Sequence, residues 1–311
     1  MSLAFIFPGQ GAQYAGMGKD VYDNFPAARK IFAQADEALG FAVSELCFNG
    51  PEEELRLTVN TQPAILTVSV ALCAVLNEKG VRPDTAAGHS LGEYSALVAA
   101  GVIDFTDAVR IVRERGRLMQ ESVPVGEGAM AAVMGMSDNK IVEICRTLEN
   151  AGHMVQAVNF NCPGQVVIAG AAAAVLLAID RLKESGAKRA MLLPVSAPFH
   201  STLLLPAARK LGEFLNGIEF HDARIPVYSN VTGQAASDKD EIRALLIKQA
   251  ASPVLWTSLT RSMAENGVET FMEVGPGKTL CGFTRKIIPD ALAVNVSDVQ
   301  SLEKTSHTLR R

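Results

Sequence analysis

Gly88-His89-Ser90-Leu91-Gly92 stands between two apolar runs and restricts the fold more than any other stretch of the chain. Before it, residues 83–87 read as a short strand entering a turn. After it, residues 93–100 read as a small-residue helix that stops at Gly101. Gly-x-Ser-x-Gly in a strand–turn–helix setting is a nucleophile elbow: a tight turn holds the serine hydroxyl out, and the flanking glycines leave room for backbone and substrate. The helix that follows aims N–H groups and its positive dipole end at a charge developing on an attacked carbonyl. The plainer alternative is a strand-to-helix turn with an N-capping serine.

Around the elbow, short strand-like runs alternate with longer helical ones, which is the signature of an α/β fold. Residues 3–7 form the first strand. Helices are expected over 25–39, over 61–78 (with Thr61 and Pro63 at its start), and over 106–122. The character changes at residues 126–128. From there the order is strand 129–134, helix 138–150, strand 154–160, strand 166–170, helix 171–185 and strand 190–195. This βαββαβ order is the ferredoxin-like motif, and it predicts an inserted unit at 126–197 within a large unit of 1–125 and 198–311. After the insertion come helices at 203–215 and 239–249 and a strand at 269–274. The polar last dozen residues are expected to fray.

Composition excludes several function classes. The net charge of −4 gives no reason to expect a nucleic-acid or anionic-membrane partner. The longest apolar runs, 64–76 and 166–179, have the length of buried helices rather than membrane spans. The N-terminus reads as a core strand rather than a signal peptide. Cys47, Cys73, Cys145, Cys162 and Cys281 are scattered, without a Cys-x-x-Cys pair, as in a cytoplasmic protein with free thiols. No His/Cys cluster has metal-ligand spacing.

A serine hydroxyl needs a base. Of the five histidines, His89 precedes the serine and is expected to point away from it, His153 lies in a polar link, His221 reads as part of an exposed turn, and His307 lies in the tail. His200 remains, just past a strand end, where α/β folds build their sites. In the helix at 106–122, Ala108, Ile111, Val112, Arg115 and Met119 share a face, which puts Arg115 on the apolar stripe. A buried guanidinium needs an anion. Either an internal Asp or Glu neutralises it, or it waits as a fork for a substrate carboxylate. Gln249 continues the apolar stripe of its own helix. It either caps the helix end or supports His200 through its amide or a backbone carbonyl. Gly9-Gln10-Gly11 after the first strand lacks the third glycine and the acid of a dinucleotide site, Tyr14 standing at the third-glycine position. It can instead present the Gln10 N–H as half of an oxyanion hole, with the Leu91 N–H as the other half. Gly277-Lys278-Thr279 lacks the first glycine of a phosphate loop.

Six segments in this order closely resemble the malonyl-CoA:acyl carrier protein transacylase family, whose fold also serves as the acyltransferase domain of fatty-acid and polyketide synthases. They are Phe7-Pro8-Gly9-Gln10-Gly11-Ala12-Gln13, Gly88-His89-Ser90-Leu91-Gly92-Glu93-Tyr94, Arg115-Gly116, the stretch 159–165, Ala197-Pro198-Phe199-His200 and the stretch 273–278. The resemblance covers residues 3 to about 295. It implies an α/β-hydrolase-like large subdomain with a ferredoxin-like insertion. It implies Ser90 as nucleophile, His200 as base, Arg115 on the malonyl carboxylate, Gln10 and Leu91 as oxyanion hole, and the Gln249 carbonyl behind His200, with no acidic third member. Phe199 and Leu91 match the malonyl preference of the family. The stretch 250–255 lacks the bulky or polar residues often found at its two ends.

The implied reaction moves malonyl from coenzyme A to the phosphopantetheine thiol of acyl carrier protein through a malonyl-serine ester. It calls for no metal or other cofactor. Asn161, Lys188 and Arg189 are the candidate contacts for coenzyme A or an acidic carrier, with Arg285 and Lys286 behind them. A monomer is expected. A serine acyl-thioester hydrolase and a non-catalytic carrier-docking subunit are the alternatives.

Overall fold

The computed structural model describes residues 2–195 and 197–308. Ser196, counted in the expected insertion, and residues 309–311 of the tail lie outside the described residues. β1 (Ser2–Phe7) leads into a helical stretch, α1 (Lys19–Asn24), α2 (Pro26–Leu39), α3 (Val43–Asn49), α4 (Glu52–Arg56) and α5 (Thr58–Glu78). The elbow elements β2 (Thr85–Gly88) and α6 (Gly92–Ala99) follow, then α7 (Phe105–Glu121). Next come β3 (Gly128–Met134), α8 (Asp138–Asn150), β4 (Val155–Cys162), β5 (Gln165–Ala171), α9 (Ala172–Glu184) and β6 (Arg189–Leu192). The chain ends with α10 (Leu205–Leu215), β7 (Val227–Tyr228), β8 (Ala235–Ala236), α11 (Lys239–Gln249), α12 (Trp256–Glu265), β9 (Val268–Val274), α13 (Thr279–Ile287), β10 (Leu292–Val296) and α14 (Val299–Thr308).

Two sheets result. The larger has the order β10-β9-β1-β2-β7-β8, parallel except at its β8 edge. β1 lies inside it and is buried on both faces, as a parallel strand covered by helices must be. Phe5 and Phe7 enter one apolar cluster with α5 and α7, while Ala4 and Ile6 enter another with Trp256 and Phe271. The smaller sheet, β4-β5-β3-β6, is antiparallel and has its own apolar core under α8 and α9. β4 ties the two together: the Phe160 N–H donates to the Val254 carbonyl, and the Val254 N–H donates to the Val158 carbonyl.

Several local expectations are corrected. α5 begins at Thr58 rather than at 61, because the N–H groups of Asn60 and Thr61 already close onto the Leu57 carbonyl, so Pro63 falls inside the helix. The apolar run 166–179 is not one buried helix but the strand and helix expected at 166–170 and 171–185, divided where β5 leaves the sheet at Ala171. β6 stops at Leu192, short of 195; one further bond joins the Leu193 N–H to Met130, and Pro194 then has no N–H to continue the ladder. The tail does not fray from residue 300, since α14 buries Leu302 and Thr305. α5 is the one helix among the described residues long and apolar enough to cross a membrane, and it is buried against α2 and α7.

α7 lies against the start of α5 at Gly116, where an added Cβ would sit 2.7 Å from the Thr58 carbonyl oxygen. Gly116→Ala therefore lowers the urea midpoint, by about 1–3 kcal/mol of stability, as overpacking does. Gly282→Ala, on a helix and with no atom within 4 Å of the added carbon, leaves the midpoint level or raises it.

Candidate active site

The elbow is built on two contacts only glycine allows. A Cβ on Gly88 would lie 1.8 Å from the Gly92 carbonyl carbon, and one on Gly92 would lie 2.1 Å from the Phe7 oxygen. β2, the turn and α6 can thus fold back on the end of β1. Asn230 rivets the turn: its Oδ1 accepts the Ser90 N–H at 2.7 Å and its Nδ2 donates to the Gly88 carbonyl at 2.7 Å. Ser90 is held at φ 52°, and His200 at φ 65°; these are the only non-glycine residues with left-handed backbone among those described. Such conformations persist only where the surroundings enforce them.

The two strained residues meet. Ser90 Oγ is 2.7 Å from His200 Nε2, and His200 Nδ1 is 2.9 Å from the Gln249 main-chain carbonyl. A carbonyl can only accept, so Nδ1 carries the proton and Nε2 presents its lone pair to the serine hydroxyl. Burial, and then the positive charge of Arg115, push the His200 pKa down to about 3. The imidazole is therefore neutral, and competent as a base, at physiological pH.

Arg115 is 1% exposed and lies beside this pair. Its Nη1 donates to Gln62 Oε1 at 2.8 Å; its Nη2 donates to Gln249 Oε1 at 3.0 Å and to Ser90 Oγ at 3.1 Å. All three acceptors are neutral oxygens, and the guanidinium also lies over the Tyr94 ring at 5.5 Å. Among the described residues no carboxylate ion-pairs with it. Of the two readings open from sequence, the internal ion pair is thus absent. The Gln249 question resolves likewise: its carbonyl meets His200, while its side chain reaches Arg115, the Ser90 carbonyl and Glu93.

A chamber of about 110 Å³ opens over Ser90, His200 and Arg115, with Phe199, Met119 and Met130 in its walls. Gln10, His89, Asn159 and Leu193 also line an outer cleft of about 290 Å³, so the chamber continues into it. The N–H groups of Gln10 and Leu91 have no backbone or side-chain acceptor among the described residues. Asn161 lines the outer cleft, where its Oδ1 is 2.8 Å from His89 Nε2. His89 accordingly faces the small sheet, with its ring against Trp256. Lys188 and Arg189 are exposed on β6 and its approach, outside the lining of both cavities. Arg285 and Lys286 are exposed on α13, whose Thr279, Leu280 and Phe283 line the cleft.

Sequence reasoning missed Gln62, Glu93 and Asn230. Glu93 carried a signal, as the one charged residue in the small and apolar run 92–99, whereas Gln62 follows Asn60 and Thr61 and carried none. Asn230 sits in a loop that no periodicity marks.

A neutral imidazole hydrogen-bonded to a serine on an elbow, near two backbone N–H groups without acceptors among the described residues, suits acyl transfer through an ester. The chain belongs to the acyl transferase domain family, whose profile matches residues 4–303. A malonyl CoA-acyl carrier protein transacylase of Bacillus subtilis is 48% identical over 308 residues, spanning 99% of this chain and 97% of its own. One of Escherichia coli K12 is 48% identical over 301 residues, spanning 96% and 97%. The acyl carrier protein S-malonyltransferase of Vibrio cholerae superposes with a TM-score of 0.95 at 46% identity, covering 98% of this chain and 100% of that one. A malonyl-transacylase solved in complex with its type II PKS acyl-carrier protein gives 0.96 at 46%, covering 99% and 100%.

Because the His200 shift is downward, acidification through the usual imidazole range does not protonate it. Between pH 6 and pH 5, kcat/KM for acylation of Ser90 stays within about twofold, where an unshifted imidazole would lose about eightfold. This interval lies below the Glu93 pKa, which burial raises to about 7, so that carboxyl does not confound the profile.

Proposed function

We propose that this chain transfers a malonyl group from malonyl-CoA to the phosphopantetheine thiol of acyl carrier protein, by way of a malonyl ester on Ser90. The observation that carries the reading is Arg115: a buried cation, bonded only to neutral oxygens, 3.1 Å from the nucleophilic oxygen. Removing a guanidinium from water without an anion is costly. An acyl group that brings its own carboxylate into the chamber meets that cost, and the fork geometry suits two-point recognition. The names of relatives that match nearly the whole chain agree with this reading, and they do not favour the hydrolase or the non-catalytic docking alternative.

In the first half-reaction His200 takes the Ser90 proton as Oγ attacks the thioester carbonyl. The oxyanion forms against the N–H groups of Gln10 and Leu91, and collapse expels the CoA thiolate, which takes the proton from His200. In the second half-reaction His200 takes the proton of the carrier thiol, whose sulfur attacks the ester. Collapse returns the proton to Ser90. During the interval Arg115 holds the malonyl carboxylate ionised and hydrogen-bonded, which opposes decarboxylation. No step calls for a metal or a redox group. The unit of residues 1–125 and 198–311 supplies the chemistry, and 126–197 supplies one wall. Asn161, with Lys188 and Arg189 further out, faces the coenzyme A or carrier side. The five unpaired thiols suit a cytoplasmic setting.

Mixing with malonyl-CoA adds one malonyl mass, lost in Ser90→Ala. The ester persists until a carrier thiol is added; release of free malonate without carrier would instead mark a hydrolase. Arg115→Ala slows malonyl loading by about two orders of magnitude, the scale of a lost buried charge-assisted contact, while acetyl loading changes by less than about tenfold. Equal losses for the two acyl groups would count against the carboxylate clamp.

A further inference from the structure

Glu93 is a buried acid without an ion-pair partner. It lies in the first turn of α6, 2% exposed, and burial holds its carboxyl above the usual range. Among the described residues no Lys, Arg or His side chain comes within ion-pairing distance. Its Oε2 accepts two donors, Gln249 Nε2 at 2.9 Å and the Asn230 main-chain N–H at 3.1 Å. Leaving an acid in such a place is expensive unless the bonds it makes are needed.

Those bonds decide which way the Gln249 amide faces. The amide has a donor end and an acceptor end. Its Nε2 donates to Glu93 Oε2 and to the Ser90 carbonyl at 2.9 Å, which leaves Oε1 toward Arg115 Nη2. Turned over, the amide would set its oxygen against the carboxylate and its N–H groups against the guanidinium, so both contacts would repel. The Asn230 N–H on the same Glu93 oxygen keeps that oxygen an acceptor whichever protonation state the carboxyl adopts. Asn230 in turn holds the Ser90 N–H and the Gly88 carbonyl. One carboxylate oxygen thus ties the elbow and the cation into a single network.

We propose that Glu93 is a positioning residue for carboxylated acyl groups: acting through the side-chain amide of Gln249, it keeps the Arg115 guanidinium set beside Ser90, where the acyl carboxylate is received. This rests on the malonyl-transfer reading and names a further determinant of its selectivity. Glu93 touches neither the substrate nor the Ser90–His200 pair, so its effect falls on the preference between malonyl and acetyl groups rather than on serine reactivity as such.

The test compares rates of Ser90 loading by malonyl-CoA and by acetyl-CoA, read by intact mass over a range of thioester concentrations. It uses the full chain, with thermal melting as a check on folding. Glu93→Ala loads malonyl about tenfold more slowly at low concentration, the loss lying in the half-saturating concentration, while acetyl loading changes less than about threefold. Glu93→Gln can still accept both bonds through its amide oxygen, and its malonyl preference stays within about threefold of the parent. Gln249→Ala, which keeps the main-chain carbonyl on His200, lowers the malonyl-to-acetyl ratio as Glu93→Ala does, and the double variant lowers it no further. Equal loss for both acyl groups in Glu93→Ala, an unchanged ratio in Gln249→Ala, or multiplied losses in the double variant would each overturn the proposal. If Glu93→Ala does not fold, Glu93→Leu, which removes both bonds at similar volume, takes its place, and an unchanged malonyl-to-acetyl ratio in that variant overturns the proposal. A parent enzyme that takes up acetyl but no malonyl would instead overturn the malonyl-transfer reading on which the proposal stands.

Discussion

A guanidinium withdrawn from water, with no carboxylate of the described residues against it, is the interaction on which the rest of this structure depends. Arg115 sits on the buried stripe of α7, and its two Nη atoms donate to amide and hydroxyl oxygens alone, while its Nε has no acceptor among the described residues. Neutral acceptors satisfy the N–H geometry without cancelling the charge. The field of that charge is felt at His200, whose pKa it lowers beyond the effect of burial, and at the buried carboxyl of Glu93, where it acts in the opposite sense to burial. One cation thus helps keep the base unprotonated and leaves the chamber electrically unbalanced until an anion enters.

The fold supplies the three acceptors from three directions. Gly116 lets α7 lie against the start of α5, which brings Gln62 to one nitrogen of the guanidinium. α11 ends at Gln249, and its last residue serves twice, by side chain toward Arg115 and by main chain toward His200. The elbow contributes Ser90 itself. The left-handed backbone at Ser90 and His200 is the cost of bringing two loop residues 110 positions apart face to face, and packing around the elbow carries it.

Much of this was legible in the sequence, for identifiable reasons. The elbow has a motif with a mechanical cause, since Gly88 and Gly92 occupy places where any side chain would strike backbone. Helical spacing alone put Arg115 on a buried face, and the βαββαβ order of the inserted sheet followed from alternating apolar runs. What stayed hidden lacks periodicity or depends on partners far off in sequence. β7 is two residues long, too short to show alternation. Asn230 reaches Gly88 and Ser90 across about 140 residues, a pairing no local pattern encodes. Glu93 stood out as a lone charge on α6, but its partners, Gln249 on α11 and the loop at 230, lie far off in sequence. Lys188 and Arg189 show the converse: a basic pair was visible, but its place outside the lining of both cavities was not.

The group behind His200 is a carbonyl dipole, not a carboxylate, and that difference reaches the choice of bond that can be cleaved. A full negative charge would stabilise the imidazolium long enough to protonate a poor leaving group such as an amine. A dipole stabilises it far less. A thiolate departs with little protonation, since the thiol it becomes has a pKa of about 8–9. The carbonyl behind His200 therefore favours sulfur leaving groups over amines.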